Sequence, residues 1–400
     1  MTWQAGSIFA RARGVTPSIV RVVPAQEQEW QRFWEDCSTA TYFHSPEWAR
    51  VWAAYARGRV RPAAKLIQFS DGAEALIPWC FEIKARGLLS RYAGSTQGTY
   101  GGWLSCEPLH VTHAVRLVQW MTREQGKSVV WRMNPYDESA FRAGVQEGLQ
   151  CRSDVTHAIR LPPTPEQLLK GFKASYRTQI RKALRSGEFT LSVATTLDEW
   201  REYFAVYQDS LERWGDAPET GYGWRLFELW ARLRSPNVKL WVARHEGKIV
   251  SGDLCLYAGR HVAYWHGSTL RSHLKTSVAK LLKFEVMQDA VRRGLDWYDF
   301  NPSAGLSGVT FFKEGFNARA LPAPLVYIDS PLKQLARNVA ASLDLRHARL
   351  SLQPLRDLLE CNNCAPPVAR WESSADVERD ADVSTAVGAA VLECRSAPAR

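Results

Sequence analysis

Between residues 238 and 269 three apolar runs alternate with short polar breaks: VKLWVARH, then IVSGDLCLY, then HVAYWHGST, separated by EGK and AGR. Runs this short, rich in Val, Tyr and Trp and joined by tight Gly-containing turns, predict three antiparallel strands. The period then changes. In SVAKLLKFEVMQDAVRRG (277–294) the apolar residues Val278, Leu281, Leu282, Val286 and Met287 recur at helical spacing, and Gly294 stops the helix. LDWYDF (295–300) reads as a strand again. The order is strand, strand, strand, helix, strand.

The first half repeats that order. AAKLIQFSDGAEALIPWCFEIK (63–84) predicts a hairpin around Asp71-Gly72. A helix follows from about Leu109 to Gln125, closed by Gly126, and KSVVWRMNP (127–135) predicts another strand. Asn134-Pro135 and Asn301-Pro302 end corresponding strands in the two halves. The pattern implies an internal duplication: an α/β (α+β) fold of two tandem domains, each with a mixed, mostly antiparallel sheet and flanking helices. The expected division is an N-terminal extension (1–18), a first domain (19–162), a second (163–330), an amphipathic helical segment (331–360) and a disordered tail (361–400).

Composition narrows the class. With 400 residues, 46% hydrophobic and 23% charged, the chain suits a two-domain globular protein. No apolar run approaches the roughly 18 residues of a membrane-spanning helix, and the first residues lack the apolar core of a secretory signal. The expectation is a cytoplasmic protein. Leu332, Leu335, Val339 and Leu343, with Lys333, Arg337, Arg346 and Arg349 nearby, would allow peripheral contact with the inner face of an anionic membrane. Packing against the second domain is the plainer reading of that segment. The eight cysteines are scattered, mostly within apolar runs, as expected of buried thiols in a reducing compartment. Cys361-x-x-Cys364 supplies only two ligands, so no metal site is expected. A net charge of +10 points to a polyanionic partner.

Two stretches could meet that polyanion. KGFKASYRTQIRKALR (170–185) carries six cations and no acid, with Lys170, Lys173, Arg177, Arg181 and Arg185 sharing a helix face. Phe172, Tyr176, Ile180 and Leu184 form the adjoining apolar stripe. The second is the entry to the 277–294 helix, where unpaired N–H groups and the dipole favour phosphate. Ser268, Arg271, Lys275, Thr276 and Ser277 are the side chains suited to it. Neither G-x-x-x-x-G-K-[ST] nor a strand followed by G-x-G-x-x-G is present, which disfavours P-loop and dinucleotide sites.

Three stretches carry a family resemblance: FKASYRTQIRKALRSG, VARHEGKIVSGDLCLYAGRHVAYWHGST and GLDWYDFNPSAGLSGVTFFKEGF. With FHSPEWARVW and GTYGGWLS in the first half, they resemble the FemAB-type branch of tandem GNAT acyltransferases over roughly residues 20–328. The resemblance implies transfer of an acyl or aminoacyl group to an amine of a cell-envelope or polysaccharide-related precursor, either a small molecule or a lipid-linked acceptor. It implies acyl-CoA or aminoacyl-tRNA as co-substrate and no permanently bound cofactor. The glycine-rich pyrophosphate turn of CoA-using members is missing from RSHLKTS, so tRNA stays open as the donor. The competing class is a non-catalytic GNAT-like module that binds nucleic acid or anionic glycan.

Amine attack requires a proton acceptor, a stabiliser for the oxyanion and a proton for the leaving group. At the end of the 295–300 strand, Asp299 could orient or deprotonate the amine, and Lys313 could stabilise developing charge or hold donor phosphate. Tyr264 and His266, placed on one face by strand alternation, could relay a proton, with Asp253 a weaker candidate of the same kind. Asn301 and Ser303 are expected on the substrate side. The resemblance alone places Tyr100, Gly101 and Gly102 at the acceptor groove. No Ser–His–Asp or Cys–His arrangement argues for a covalent intermediate.

Overall fold

The computed structural model describes residues 16–335, apart from 85–88, 95, 124–125, 150, 215–220, 304–306 and 332. The first half runs β1 (Ile19–Pro24), α1 (Glu27–Asp36), α2 (Pro46–Tyr55), β2 (Val60–Pro62), β3 (Lys65–Phe69), β4 (Glu74–Ile77), β5 (Cys80–Lys84), β6 (Leu89–Ala93), β7 (Tyr100–Gly101), α3 (Val111–Arg123), β8 (Ser128–Met133), α4 (Glu138–Gln146), β9 (Cys151–Arg152) and β10 (Val155–Arg160). Four helices and a strand follow: α5 (Pro165–Gly171), α6 (Ala174–Ser186), β11 (Thr190–Val193), α7 (Leu197–Trp214) and α8 (Trp224–Leu233). The meander read from the sequence comes next as β12 (Val238–His245), β13 (Lys248–Ala258) and β14 (His261–Thr269). The chain then forms α9 (Val278–Arg292), β15 (Trp297–Pro302), α10 (Ser307–Gly315), β16 (Arg319–Pro322) and β17 (Leu325–Ile328).

Two sheets carry the duplication. One runs β2-β5-β6-β8-β17-β9, the other β11-β12-β13-β14-β15-β10-β16. In each, a helix crosses over between two parallel strands, α3 between β6 and β8 and α9 between β14 and β15. Antiparallel strands flank these pairs, as short hairpin connections require. The correspondence reaches the edges, and there the halves trade strands. β10, from the end of the first half, lies against β15 in the second sheet, and β17, from the end of the second half, holds the matching place against β8. The sheets therefore do not separate at one point along the chain.

The apolar pattern of 63–84 predicts one hairpin, with everything after the Asp71-Gly72 turn in its second arm. Pro78 divides it: β4 stays with β3 and β1 in a small three-stranded sheet, while β5 joins the large one. Proline offers no N–H to continue the ladder, so the strand ends there.

An aromatic core joins the halves. Trp48 of α2 stacks on Trp230 of α8 with ring centroids 5.7 Å apart and meets Trp265 of β14 edge-on at 5.5 Å. Each of these indoles is buried, worth roughly 4–6 kcal/mol at most in transfer free energy. Pulling the halves apart would expose all three. In α6, Tyr176, Ile180 and Ala183 face inward while Leu184 is 50% exposed, so the apolar stripe lies one residue earlier than its spacing suggested. Cys37, Cys80 and Cys255 are buried as expected, whereas Cys106 and Cys151 are exposed. Cys361, Cys364, Cys394, the tail and nearly all of the 331–360 segment lie outside the described residues. Among the described residues no helix is long and apolar enough to cross a membrane, and no cluster of ligands could hold a metal ion.

Candidate active site

β14 and β15 pair in parallel only from His261–Ala263 to Trp297–Asp299, after which the strands part. Past Ala263, β14 has no strand partner on that side among the described residues, and β15, still paired with β10 through Pro302, bulges at Phe300–Asn301 in a turn closed by the Asp299 carboxylate. Asn301 is the reason. Its backbone is left-handed at φ 60°, unusual for a residue with a side chain. Its side-chain amide bridges the fork, Nδ2 donating to the Tyr264 carbonyl at 2.6 Å.

Asp299 sits where the strands divide and is 1% exposed. Its Oδ2 accepts from the Tyr100 hydroxyl (2.9 Å) and the Tyr136 hydroxyl (2.7 Å). Oδ1 accepts from Thr156 Oγ1 (2.7 Å) and the Asn301 amide (2.7 Å). Three of the four donors come from β7, the loop after β8, and the exchanged strand β10. A carboxylate holding four donors is ill placed to take a proton from an amine, so the base role expected of Asp299 does not fit its surroundings. Both tyrosines keep their protons, since burial, then the neighbouring Asp299 charge, raises them far above the ordinary value.

Lys313, on the inner face of α10, is fully buried. Its ammonium donates to the Asn301 carbonyl (2.5 Å) and to Ser303 Oγ (2.8 Å). Burial drags it down to about 7, against the pull of the Asp299 and Asp154 charges. A lysine that loses its proton near neutrality can both accept and give one. Buried His157, one residue beyond Thr156, has its pKa lowered by burial and then by Lys313. The expected Asp299, Asn301, Ser303, Lys313 and Tyr100 thus come together. Gly101 is buried against Gly94: a Cβ there would meet the Gly94 carbonyl oxygen at 1.7 Å, and only glycine allows that approach.

The Tyr264–His266 relay is not formed. Register shifts in β14, where Leu254 pairs with His266 but Cys255 with Tyr264, so Trp265 is the extra residue of a bulge. The bulge sends Tyr264 toward Phe300 and α9, and His266 toward Tyr203, Tyr207 and Phe227 on the other face. His266 bonds the Tyr203 hydroxyl through Nδ1 at 2.7 Å, and burial lowers it to about 3, leaving it neutral. On the Tyr264 side, Asp253 meets Lys283 of α9, whose ammonium lies 3.2 Å from both carboxylate oxygens and 4.1 Å from the Tyr264 ring centroid. Sequence reading missed Lys283. Its signal was a lysine between Leu282 and Phe284 in a helix with buried residues nearly all round. Thr156 and Tyr136 gave no such signal, because their partner lies 143 and 163 residues away.

The donor-side residues divide. Arg271 and Lys275 are exposed at the entry to α9, and Thr276 accepts from the Val278 amide there while Ser277 makes no side-chain cap. Ser268 is buried within β14 and takes no part in that entry. Arg177 folds back onto the Phe172 carbonyl at 2.6 Å, closing the α5–α6 junction. Arg181, Lys182 and Arg185 are exposed, with no acidic partner among the described residues. Lys280, in the first turn of α9, lies 5.2 Å from the centre of the Tyr176 ring of α6.

An acetyltransferase (GNAT) domain family matches residues 170–314. Among solved structures the chain is similar to FemX, with 11% identity and a TM-score of 0.58 over 79% of this chain and 99% of FemX. It is also similar to a conserved protein of unknown function from Bacteroides thetaiotaomicron VPI-5482, with 9% identity and a TM-score of 0.53 over 77% of this chain and 99% of that one. At these identities the structures share the fold. Comparison with curated proteins gives no match.

Proposed function

We propose that this chain, which carries an acetyltransferase (GNAT) domain match at residues 170–314 within a fold shared with FemX, transfers an acyl or aminoacyl group to an amine with Lys313 as the acid–base residue. The observation that carries this reading is a buried lysine, lowered to about 7, at the open end of the β14–β15 fork. Beyond the Tyr264 carbonyl, which Asn301 takes, the edge of β14 has no strand partner among the described residues and suits an extended donor arm, which can pair with it through main-chain hydrogen bonds. As the amine nitrogen bonds the donor carbonyl carbon, neutral Lys313 accepts the amine proton. When the intermediate collapses, the ammonium returns that proton to the departing thiolate or ribose oxygen. Ser303 and Asn301 hold Lys313 for both transfers. The entry to α9, with Arg271, Lys275 and Thr276, and the exposed cations of α6 suit the donor's phosphates, whether acyl-CoA or aminoacyl-tRNA. The acceptor class follows the family: an amine on a small or lipid-linked envelope or polysaccharide precursor.

Turnover of amine acceptors with an acyl-CoA panel and, separately, with charged tRNA tests this. Lys313→Met should cost about 100- to 10,000-fold in kcat. Wild-type kcat should rise with pH through a midpoint near 7, as the base becomes neutral. A Lys313→Met protein with full turnover would refute the assignment. Arg181, Lys182 and Arg185, without acidic partners among the described residues, favour a second reading, a polyanion-binding module. It predicts salt-sensitive RNA binding with no transfer from either donor.

A further inference from the structure

We propose that Asp299 is a positioning residue, which holds the left-handed Asn301 turn and thereby fixes the acceptor and the charge environment of Lys313, with the first half of the chain supplying the hydroxyls that fix Asp299 itself. This rests on the reading of Lys313 as the acid–base group. The chain of contacts is continuous. Tyr100 and Tyr136 pin Oδ2, Thr156 pins Oδ1, and Oδ1 also takes the Asn301 amide. That last bond closes the turn at φ 60°, and the turn points the Asn301 carbonyl at Lys313. A left-handed non-glycine residue costs about 1 kcal/mol or more, so it persists only where its surroundings over-determine it. Here the amide, the carbonyl and the side chain of Asn301 are each engaged.

Four neighbours bear on the Lys313 charge. Asp299 of β15 and Asp154, just before β10, favour the ammonium; Lys283 of α9 and His157 of β10, when charged, oppose it. Asp299 is the larger of the favourable pair. Removing its charge should therefore lower the Lys313 midpoint further.

The test follows the Lys313 ammonium directly in the full chain by NMR of ¹⁵N-labelled lysines, its signal identified by loss in Lys313→Met. Asp299→Asn keeps the shape and removes the charge, and should lower the midpoint by about one unit. Asn301→Val, which disfavours the left-handed turn, should also lower it by removing the carbonyl acceptor. Asn301→Gly, which adopts that turn freely, should hold the wild-type midpoint. A folded Asp299→Asn protein with an unshifted midpoint overturns the proposal. Should that variant fail to fold, equal midpoints in Asn301→Val and Asn301→Gly overturn it instead. A shifted midpoint alongside full turnover in Lys313→Met would leave this inference standing and remove the catalytic reading.

Discussion

Replacing Lys283 by Met should destabilise the protein by about 3–5 kcal/mol, and removing Asp253 as well should restore most of the loss. The ammonium lies 3.2 Å from each Asp253 oxygen, and the side chains are 1% and 3% exposed. At an effective dielectric of about 20, unit charges at that separation attract by about 5 kcal/mol. Desolvating two ions costs several kcal/mol each, so the intact pair contributes little net stability. Breaking it is costly because it strands a buried carboxylate. Urea midpoints read by tryptophan fluorescence should place Lys283→Met well below wild type and Lys283→Met/Asp253→Leu within about 1–2 kcal/mol of it.

The pH dependence supplies an independent check. Burial already raises the Asp253 carboxyl above its ordinary value, and Lys283 is what lowers it. Without Lys283 the raised value moves further up, so the folded state binds a proton that the unfolded state releases. Stability then grows as pH falls through that raised value. The deficit of Lys283→Met should be smaller at pH 5 than at pH 8. Equal losses in the single and double variants, or a deficit that ignores pH, would refute the reasoning.

Two further outcomes are expected. A Cβ on residue 315 would lie 2.1 Å from Cζ of the Tyr176 ring, so Gly315→Ala should cost about 1–3 kcal/mol or more, read as a fall in melting temperature, with partial recovery when Tyr176→Leu is added. Arg181→Glu with Arg185→Glu should leave the melting temperature nearly unchanged but weaken donor binding. Its salt dependence should flatten by about 0.7–0.9 in log–log slope for each phosphate no longer neutralised. An unchanged slope would remove α6 from the donor surface.

The sequence alone determined the elements and their order around the site. Local signals specify the β12–β13–β14 meander, α9 and β15: period-2 and helical apolar spacing, turns at Gly247 and Gly259, and a stop at Gly294. The same signals showed Asn134 and Asn301 at equivalent strand ends and gathered Asp299, Asn301, Ser303 and Lys313 into one short stretch. That stretch folds onto itself, so the clustering of these residues was legible from spacing.

Only tertiary structure decided what those residues contact. Asp299 reads as a base until Tyr100, Tyr136 and Thr156 arrive from across the chain to fill its acceptors. Tyr264 and His266 share a face until the bulge at Trp265 shifts their register, which turns on how β14 meets β13. The exchange of β10 and β17 brings Thr156 to the fork, and no local pattern reports which sheet a strand will join. Periodicity records how a segment buries its own side chains. Charge state and hydrogen-bond supply depend on partners far away in sequence, and around Asp299 three of the four donors are such partners.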